Sequence, residues 1–413
     1  MANLNAVNIK KGEVGQDTLG TSDAISGLIV GAVAPTSLAL DEVKSITTLK
    51  QAENLGITQA YDDSNRVNVY RHISEFFRNA RQGTELHLML VDRATSMSNM
   101  CEVKGKILLA SAKGKIKQLA IATNLEELKT PTMLDGIAKI VHDAIPKGQL
   151  LADWAYQFNM PCQVFIEGLA FGGNSAAALN LRDIPNLKAP KVSVFIGQDY
   201  TYAKTRTGLA KKYADVGTLL GICSKARVNQ DVGNNELFNL TEETTKTWIE
   251  PGLSSNVKND AVFEDLQPLE DKGYLFGIEY SGIAGVRINN DHTCTPIIVD
   301  NNNSTNEHTI AYGRVHDKAV RLLRSAYLPK VKTDWSVDPK TGKLRPGVVV
   351  ALEDVGDKIF EDMIRRGEIS YGKATVGKDS DLLIEKKLQV SYKIVPKGNI
   401  DEIAGIINLK TKS

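Results

Sequence analysis

Between Gly27 and Asp92 an apolar strand pattern, a helical pattern and a second apolar strand pattern follow one another almost without a gap. This alternation constrains the fold most, because a helix followed at once by an apolar strand, and repeated, builds an α/β layer structure. SGLIVGAVA reads as a buried strand, and TSLALDEVKSITTLKQAENLGI as a short strand followed by a helix from near Ser45 to Gly56. In NVYRHISEFFRNARQG, Val69, Ile73, Phe76 and Phe77 share one helical face, and Gly83 closes the segment. TELHLMLVD follows directly, with Leu86, Leu88 and Leu90 on one face of a strand. The pattern continues with a strand near Leu119, a helical run from TMLDGIAKIVHDAIPKG to Asn159, and the strands CQVFIEGL and PKVSVFIGQD. Thr207 to Ala226 reads as helical, with Gly217 and Gly221 where a neighbour packs closely.

The character changes after the polar stretch Asp300 to Asn306, a surface loop. TIAYGRVHDKAVRLLRSAYLP is an amphipathic helix with Val315, Ala319, Leu322, Leu323 and Ala326 as its apolar stripe. Arg314, Lys318, Arg321 and Arg324 recur on a second face, which is either solvated or set against an acidic partner surface. WSVDPKTGKLRPG is a turn-rich connection. GDKIFEDMIRRGEIS is a short helix with Ile359, Phe360, Met363 and Ile364 inward and Lys358, Glu361, Asp362, Arg365 and Arg366 outward, stopped by Gly367. In KKLQVSYKIVP, Leu388, Val390, Tyr392 and Ile394 alternate with polar residues as a strand, ended by Pro396. NIDEIAGIINLK reads as one helical turn and a last short strand around Ile407 and Leu409. At the other end, residues 1–20 form a polar arm in which Val7 and Ile9 alternate with polar or small neighbours. That strand is too short to stand alone and suits pairing with an existing sheet edge.

Composition narrows the function classes. Lys and Arg number 50 and Asp and Glu 49, so the basic excess that bulk nucleic-acid binding requires is missing. The four cysteines, Cys101, Cys162, Cys223 and Cys294, form no CxxC pair and read as core residues of a reducing compartment. No apolar leader stands at the start, and the early run Ile25 to Ala34 is too short and Gly-broken to span a bilayer, so a cytoplasmic protein is expected. Phosphate-loop, dinucleotide, GxSxG and HExxH patterns are absent. GLAFGGN has the wrong spacing for a phosphate cradle. The six histidines are scattered, and His292 in INNDHTC reads as part of a polar turn. No catalytic, metal or cofactor-binding residue is assigned, which leaves a cytoplasmic α/β enzyme with a non-motif active site as the competing reading. A tube or capsid protein is a third; the chain's length and helical middle disfavour it.

The segments GYLFGIEYSGIAGVRINNDHTC, IAYGRVHDKAVRLLRSAYLPKV, TGKL, the helix ending MIRRGEIS and KKLQVSYKIVPKGNIDEIAGIINLK together resemble contractile tail sheath proteins of tailed phages and related injection devices, in a compact branch without large insertions. HISEFFRNARQGTELHLMLVD resembles the family's double-Phe helix, glycine turn and apolar strand, with Gln82 and Gly83 where two glycines are often found. The resemblance implies an α/β (α+β) fold: an α/β outer domain with a mixed sheet over 21–300, a C-terminal α+β sheath core over 301–413 completed by strand exchange, and an exchange arm over 1–20. It implies a structural subunit, not an enzyme, that polymerises helically around an inner tube and contracts to drive that tube through a membrane. Strand exchange would use Val7, Ile9, Leu388, Val390, Tyr392, Ile394, Ile407 and Leu409. Tube contact would use Lys358, Arg365 and Arg366, with Arg314 and Arg321 in reserve; the bland alternative is an exposed helix face. Implied partners are further copies, the tube protein, and baseplate and terminator proteins, with no cofactor, nucleic acid or direct membrane insertion. The implied location is a virion tail or phage-like particle assembled in a bacterial cytoplasm.

Overall fold

The computed structural model describes residues 22–126, 130–377, 380 and 382–409. Strands β1 (Ser26–Ala32), β2 (Val43–Ile46), β3 (Leu86–Asp92), β4 (Gln118–Ala122), β5 (Gln163–Glu167) and β6 (Val192–Phe195) form a six-stranded mixed sheet in the order β2-β3-β1-β4-β5-β6. Every neighbouring pair is parallel except the edge pair β2–β3. A parallel sheet is covered on both faces, which is why its strands read as unbroken apolar runs rather than as alternations. Ile29, Leu119, Ile121, Val164 and Val194 point to one face and pack under α2 (Lys139–Gln157). Leu28, Val30, Leu88, Leu90 and Phe165 point to the other, beneath α1 (Val69–Asn79) and α3 (Val216–Lys225).

The two glycines of α3 set how near α1 can come. A Cβ on Gly217 would stand 2.2 Å from the carbonyl oxygen of His72, and one on Gly221 2.8 Å from that of Phe76. The close approach read from the sequence is therefore α1 lying backbone to backbone against α3.

Some boundaries differ from expectation. The first helix begins at Leu49 rather than near Ser45, because Ser45 and Ile46 pair with His87 and Leu86, and Thr48 caps the helix by accepting from the Gln51 N–H. The run before α2 is not helical throughout. Met133–Leu134 and Ile137–Ala138 form a small hairpin around Asp135 and Gly136, both at positive φ, as a two-residue Asp-Gly turn requires.

Two helices and a hairpin complete the described chain: α4 (Ile310–Tyr327), α5 (Pro346–Arg365), β7 (Ile369–Val376) and β8 (Val390–Pro396). The expected short helix is thus twenty residues long and starts on Pro346, a residue suited to a first helical position. Phe360 and Met363 are buried as expected, whereas Ile364 faces solvent at 41% exposure. β7 and β8 pair antiparallel from Ile369↔Pro396 to Val376↔Val390. Val315, Ala319, Leu323, Phe360, Met363 and Ala374 make a separate small core between α4, α5 and the hairpin.

In open parallel sheets the crevice at the carboxyl ends of the strands is the usual ligand site. Here side chains fill it. Asn124 donates to the Gly31 carbonyl and accepts from the Asn68 N–H, while Glu167 accepts from the N–H groups of Thr123 and Ala214. About 10 Å³ of cavity is left beside them, near the least that holds one water. Burial pushes the Glu167 carboxyl up to about 8, so the group that closes this crevice is largely neutral at neutral pH.

Candidate assembly surface

α4 is anchored at its first turn. Thr309 caps it by accepting from the Tyr312 N–H, and Asp291 accepts from the Ile310 N–H through its backbone and from the Ala311 N–H through its carboxyl. The basic residues that follow do not form a solvated face. Arg314 is buried and donates to the carbonyls of Ala226, Arg227 and Asp23. Lys318 lies 2.6 Å from both Asp23 and Glu368, and Arg321 lies 2.8 Å from Asp23. Burial pushes the Asp23 carboxyl up, but Lys318 and Arg321 outweigh it and hold the group below its usual range. The acidic surface that this face meets is therefore in the same chain. Arg314 and Arg321 clamp the segment entering β1 to α4, and that corrects the reading of them as freely presented tube-contact reserves.

Lys358, Arg365 and Arg366 of α5 are exposed as expected. Arg365 pairs with Asp362 one turn back. Among the described residues neither Lys358 nor Arg366 has an ion-pair partner. Phe360 and Met363 hold the opposite face of α5 in the small core.

The β8 strand is where the sequence predicts it, but its partner is not a neighbouring molecule. Val390, Tyr392 and Ile394 register with Val376, Ala374 and Gly372 of β7, so the backbone of β8 is paired on one side within the chain. This corrects the expectation that β8 itself is an unpaired ribbon. Tyr392 remains 39% exposed, and Leu388 lies just before the strand. β7 went unread because a bulge between Ile369 and Tyr371 breaks the inside–outside alternation, and because Gly372 and Ala374 are small. They are small for a reason: a Cβ on Gly372 would stand 2.5 Å from the Phe360 ring. The bend between Gly367, at positive φ, and Ile369 was the available signal for a strand starting there.

The unpaired segment is the tail beyond β8. The helical turn expected near Asp401 does not form, and residues 397–409 adopt no regular element. Ile400, Ile403, Ile406, Ile407 and Leu409 are between 79 and 101% exposed. Among the described residues no backbone hydrogen bond ties down 398–409. Single exposed aliphatics are ordinary, but five within ten residues make an apolar strip that water does not favour. Val7 and Ile9 lie outside the described residues. Beside the hairpin a groove of about 870 Å³ is lined by Val331, Trp335, Leu352, Leu382 and Leu388, with Lys330, Lys332, Lys386 and Lys387 around it.

Groups that could suggest other chemistry have internal explanations. Glu307, His316 and Asp317 approach one another at metal-ligand distances, but the Lys191 ammonium lies 2.6 Å from Asp317 and pairs with Glu307, taking a cation's place. His292 stands 3.2 Å from Glu270 and 2.5 Å from an Arg182 nitrogen, within the polar turn expected of it. All four cysteines are free and buried, as read. Among the described residues no helix is long and apolar enough to cross a membrane.

The family models of the DUF2586 N-terminal domain and the DUF2586 C-terminal domain match residues 4–292 and 308–413. No curated protein sequence matches the chain. Among solved structures, a chain of the anti-feeding prophage baseplate aligns with a TM-score of 0.63 at 14% identity, covering 100% of both chains. A chain of the contracted helical sheath of the same particle aligns at 0.58 and 13%, covering 100% of this chain and 99% of its own. The sheath tail protein of Desulfitobacterium hafniense aligns at 0.51 and 10%, covering 94% of this chain and 100% of its own. These likenesses show that the mixed α/β fold is the fold of contractile sheath proteins, as the sequence resemblance implied.

Proposed function

The chain belongs to the DUF2586 family, and on that premise we propose that it is the sheath subunit of a contractile phage tail or phage-like injection device. Many copies polymerise helically around an inner tube, and contraction of the cylinder drives the tube through a membrane. The observation that carries this reading is the aliphatic tail beyond β8, whose backbone has no partner among the described residues. The outer edges of β7 and β8 offer main-chain donors and acceptors to such a strand, and alternate side chains fix its register. In this reading the tail, with Ile407 and Leu409, pairs with the hairpin of an adjacent copy, whose Leu388, Val390, Tyr392 and Ile394 receive it. The arm 1–20, with Val7 and Ile9, makes the reciprocal exchange.

Covering an aliphatic side chain contributes about 1.5–3 kcal/mol, so five give a gross gain of roughly 7–15 kcal/mol per subunit before the cost of ordering the tail. Exchange with a different neighbour at each end is a head-to-tail contact, which generates open helical assemblies. The working division is the arm 1–20, an outer domain 21–300 and a tube-facing core 301–413. Lys358, Arg365 and Arg366 face the tube, baseplate and terminator proteins bound the cylinder, and the particle is assembled in a bacterial cytoplasm. Support for a mechanical rather than catalytic role comes from the filled crevice of the sheet, which leaves the enzyme reading without its customary site.

The test is electron microscopy of two proteins, the full chain and one ending at Lys397. Striated hollow cylinders are expected from the first and a folded, dispersed subunit from the second. Dispersed globules from both contradict the reading, and cylinders from both contradict the role of the tail.

A further inference from the structure

The tail does not leave the molecule directly. Residues 398–402 run along a cleft of about 1090 Å³ on the larger α/β part of the chain. The cleft is acidic: Asp231 and Glu236 come from one loop, Glu270 and Asp271 from the end of the helix Phe263–Asp271, and Asp401 and Glu402 from the tail itself. Arg182 and His292 are the basic groups that line it. Much of this charge is answered locally. Glu270 accepts from Asn290 at 2.8 Å, pairs with His292 at 3.2 Å and also receives Asn289, and Arg182 is engaged with His292. Asp231 has only the Gly233 N–H, at 2.6 Å, and faces Asp401. Behind it lies Asp291, fully buried.

We propose that residues 398–402 are an autoinhibitory latch, seated in this acidic cleft of their own chain at acid pH and released at neutral pH for pairing with another copy. The sign follows from linkage. Burial, and then the charge of Asp401, push Asp231 up to about 6, and Asp401 acts on the buried Asp291 in the same direction. Asp401 raises these pKa values only while the tail is seated, so the seated state binds protons more tightly than the released state. Acid therefore favours seating, and ionisation of Asp231 opposes it. Arg182 attracts Asp401 at every pH of interest and keeps the released tail near the cleft. The consequence for assembly rests on the sheath reading; the latch itself does not.

The experiment reads the two separately. A dye on Leu409→Cys reports tail mobility by anisotropy in the dilute full chain, whose own cysteines are buried. Anisotropy is expected to rise as pH falls through about 6, and the lag before cylinders form should lengthen over the same range. Asp231→Asn removes the charge that opposes seating, so it should hold anisotropy high at pH 7.5 and abolish the transition. Asp401→Asn, on an exposed side chain, should do the same without disturbing the interior. A flat anisotropy profile, or Asn variants that titrate like the wild type, overturns the latch. A tail that responds in a chain forming no cylinders at any pH overturns the sheath reading alone.

Discussion

Arg71 answers three buried carboxylates at once. It lies 2.8 Å from Asp215, 3.2 Å from Asp199 and 3.6 Å from Glu75, with its guanidinium 4.5 Å from the centre of the Tyr202 ring. Burial pulls the Glu75 carboxyl up, but Arg71 and Arg78 outweigh it and hold it at about 2, while Thr218 and the Trp248 indole donate to it. Arg71→Met should therefore cost about 3–5 kcal/mol in denaturant unfolding, because it leaves buried acids without their cation. Its neighbour His72 makes the opposite demand. The ring is wholly buried with neither nitrogen hydrogen-bonded, and burial, then the charge of Arg71, lower it to about 3. The folded protein keeps this ring neutral while the unfolded chain takes up a proton below about pH 6.5, so stability is lost as pH falls from 6.5 towards 3. Between pH 6.5 and about 5 the wild type should lose roughly 2 kcal/mol relative to His72→Leu, read as a difference in pH slope. None of this was legible in the sequence. The partners of Arg71 stand 128 and 144 positions along the chain, and only folding brings them together.

At the scale of elements, the parallel strands were legible because burial on both faces makes them continuously apolar, and α1 and α4 because their stripes keep helical spacing. Elements whose pattern is set by a partner were not. β7 hides behind its bulge and its small residues. The expectation of an open β8 failed because the strand that satisfies it could not be seen. The basic face of α4 was visible, but not its destination: Asp23 is 295 positions from Lys318. Lys358, Arg365 and Arg366 kept the exposure that the helical period gives them. If α5 faces an acidic tube surface, Arg365→Glu combined with Arg366→Glu should leave the thermal midpoint of the subunit within about 2 °C, since exposed charges carry little stability. The same variant should reduce co-sedimentation of sheath with tube at least tenfold. Unchanged co-sedimentation makes this face solvated and nothing more.

For the whole molecule, the α/β layers and the helical C-terminal part could be read from periodicity, and the order of the C-terminal segments carried the family resemblance. What periodicity could not supply was which polar groups close the sheet's crevice and which strip stays uncovered. Both bear on function: a closed crevice suits a rigid body, and an uncovered aliphatic strip suits association. The central claim is that this strip finds its partner in another copy. It is tested most directly by a cryo-EM reconstruction of the assembled protein at a resolution that traces main chain. The account predicts continuous density for residues 398–409 running as a strand along the β7–β8 hairpin of an adjacent subunit, with Ile407 and Leu409 covered. A cylinder in which that segment stays on its own subunit, with Ile407 and Leu409 still in solvent, contradicts it.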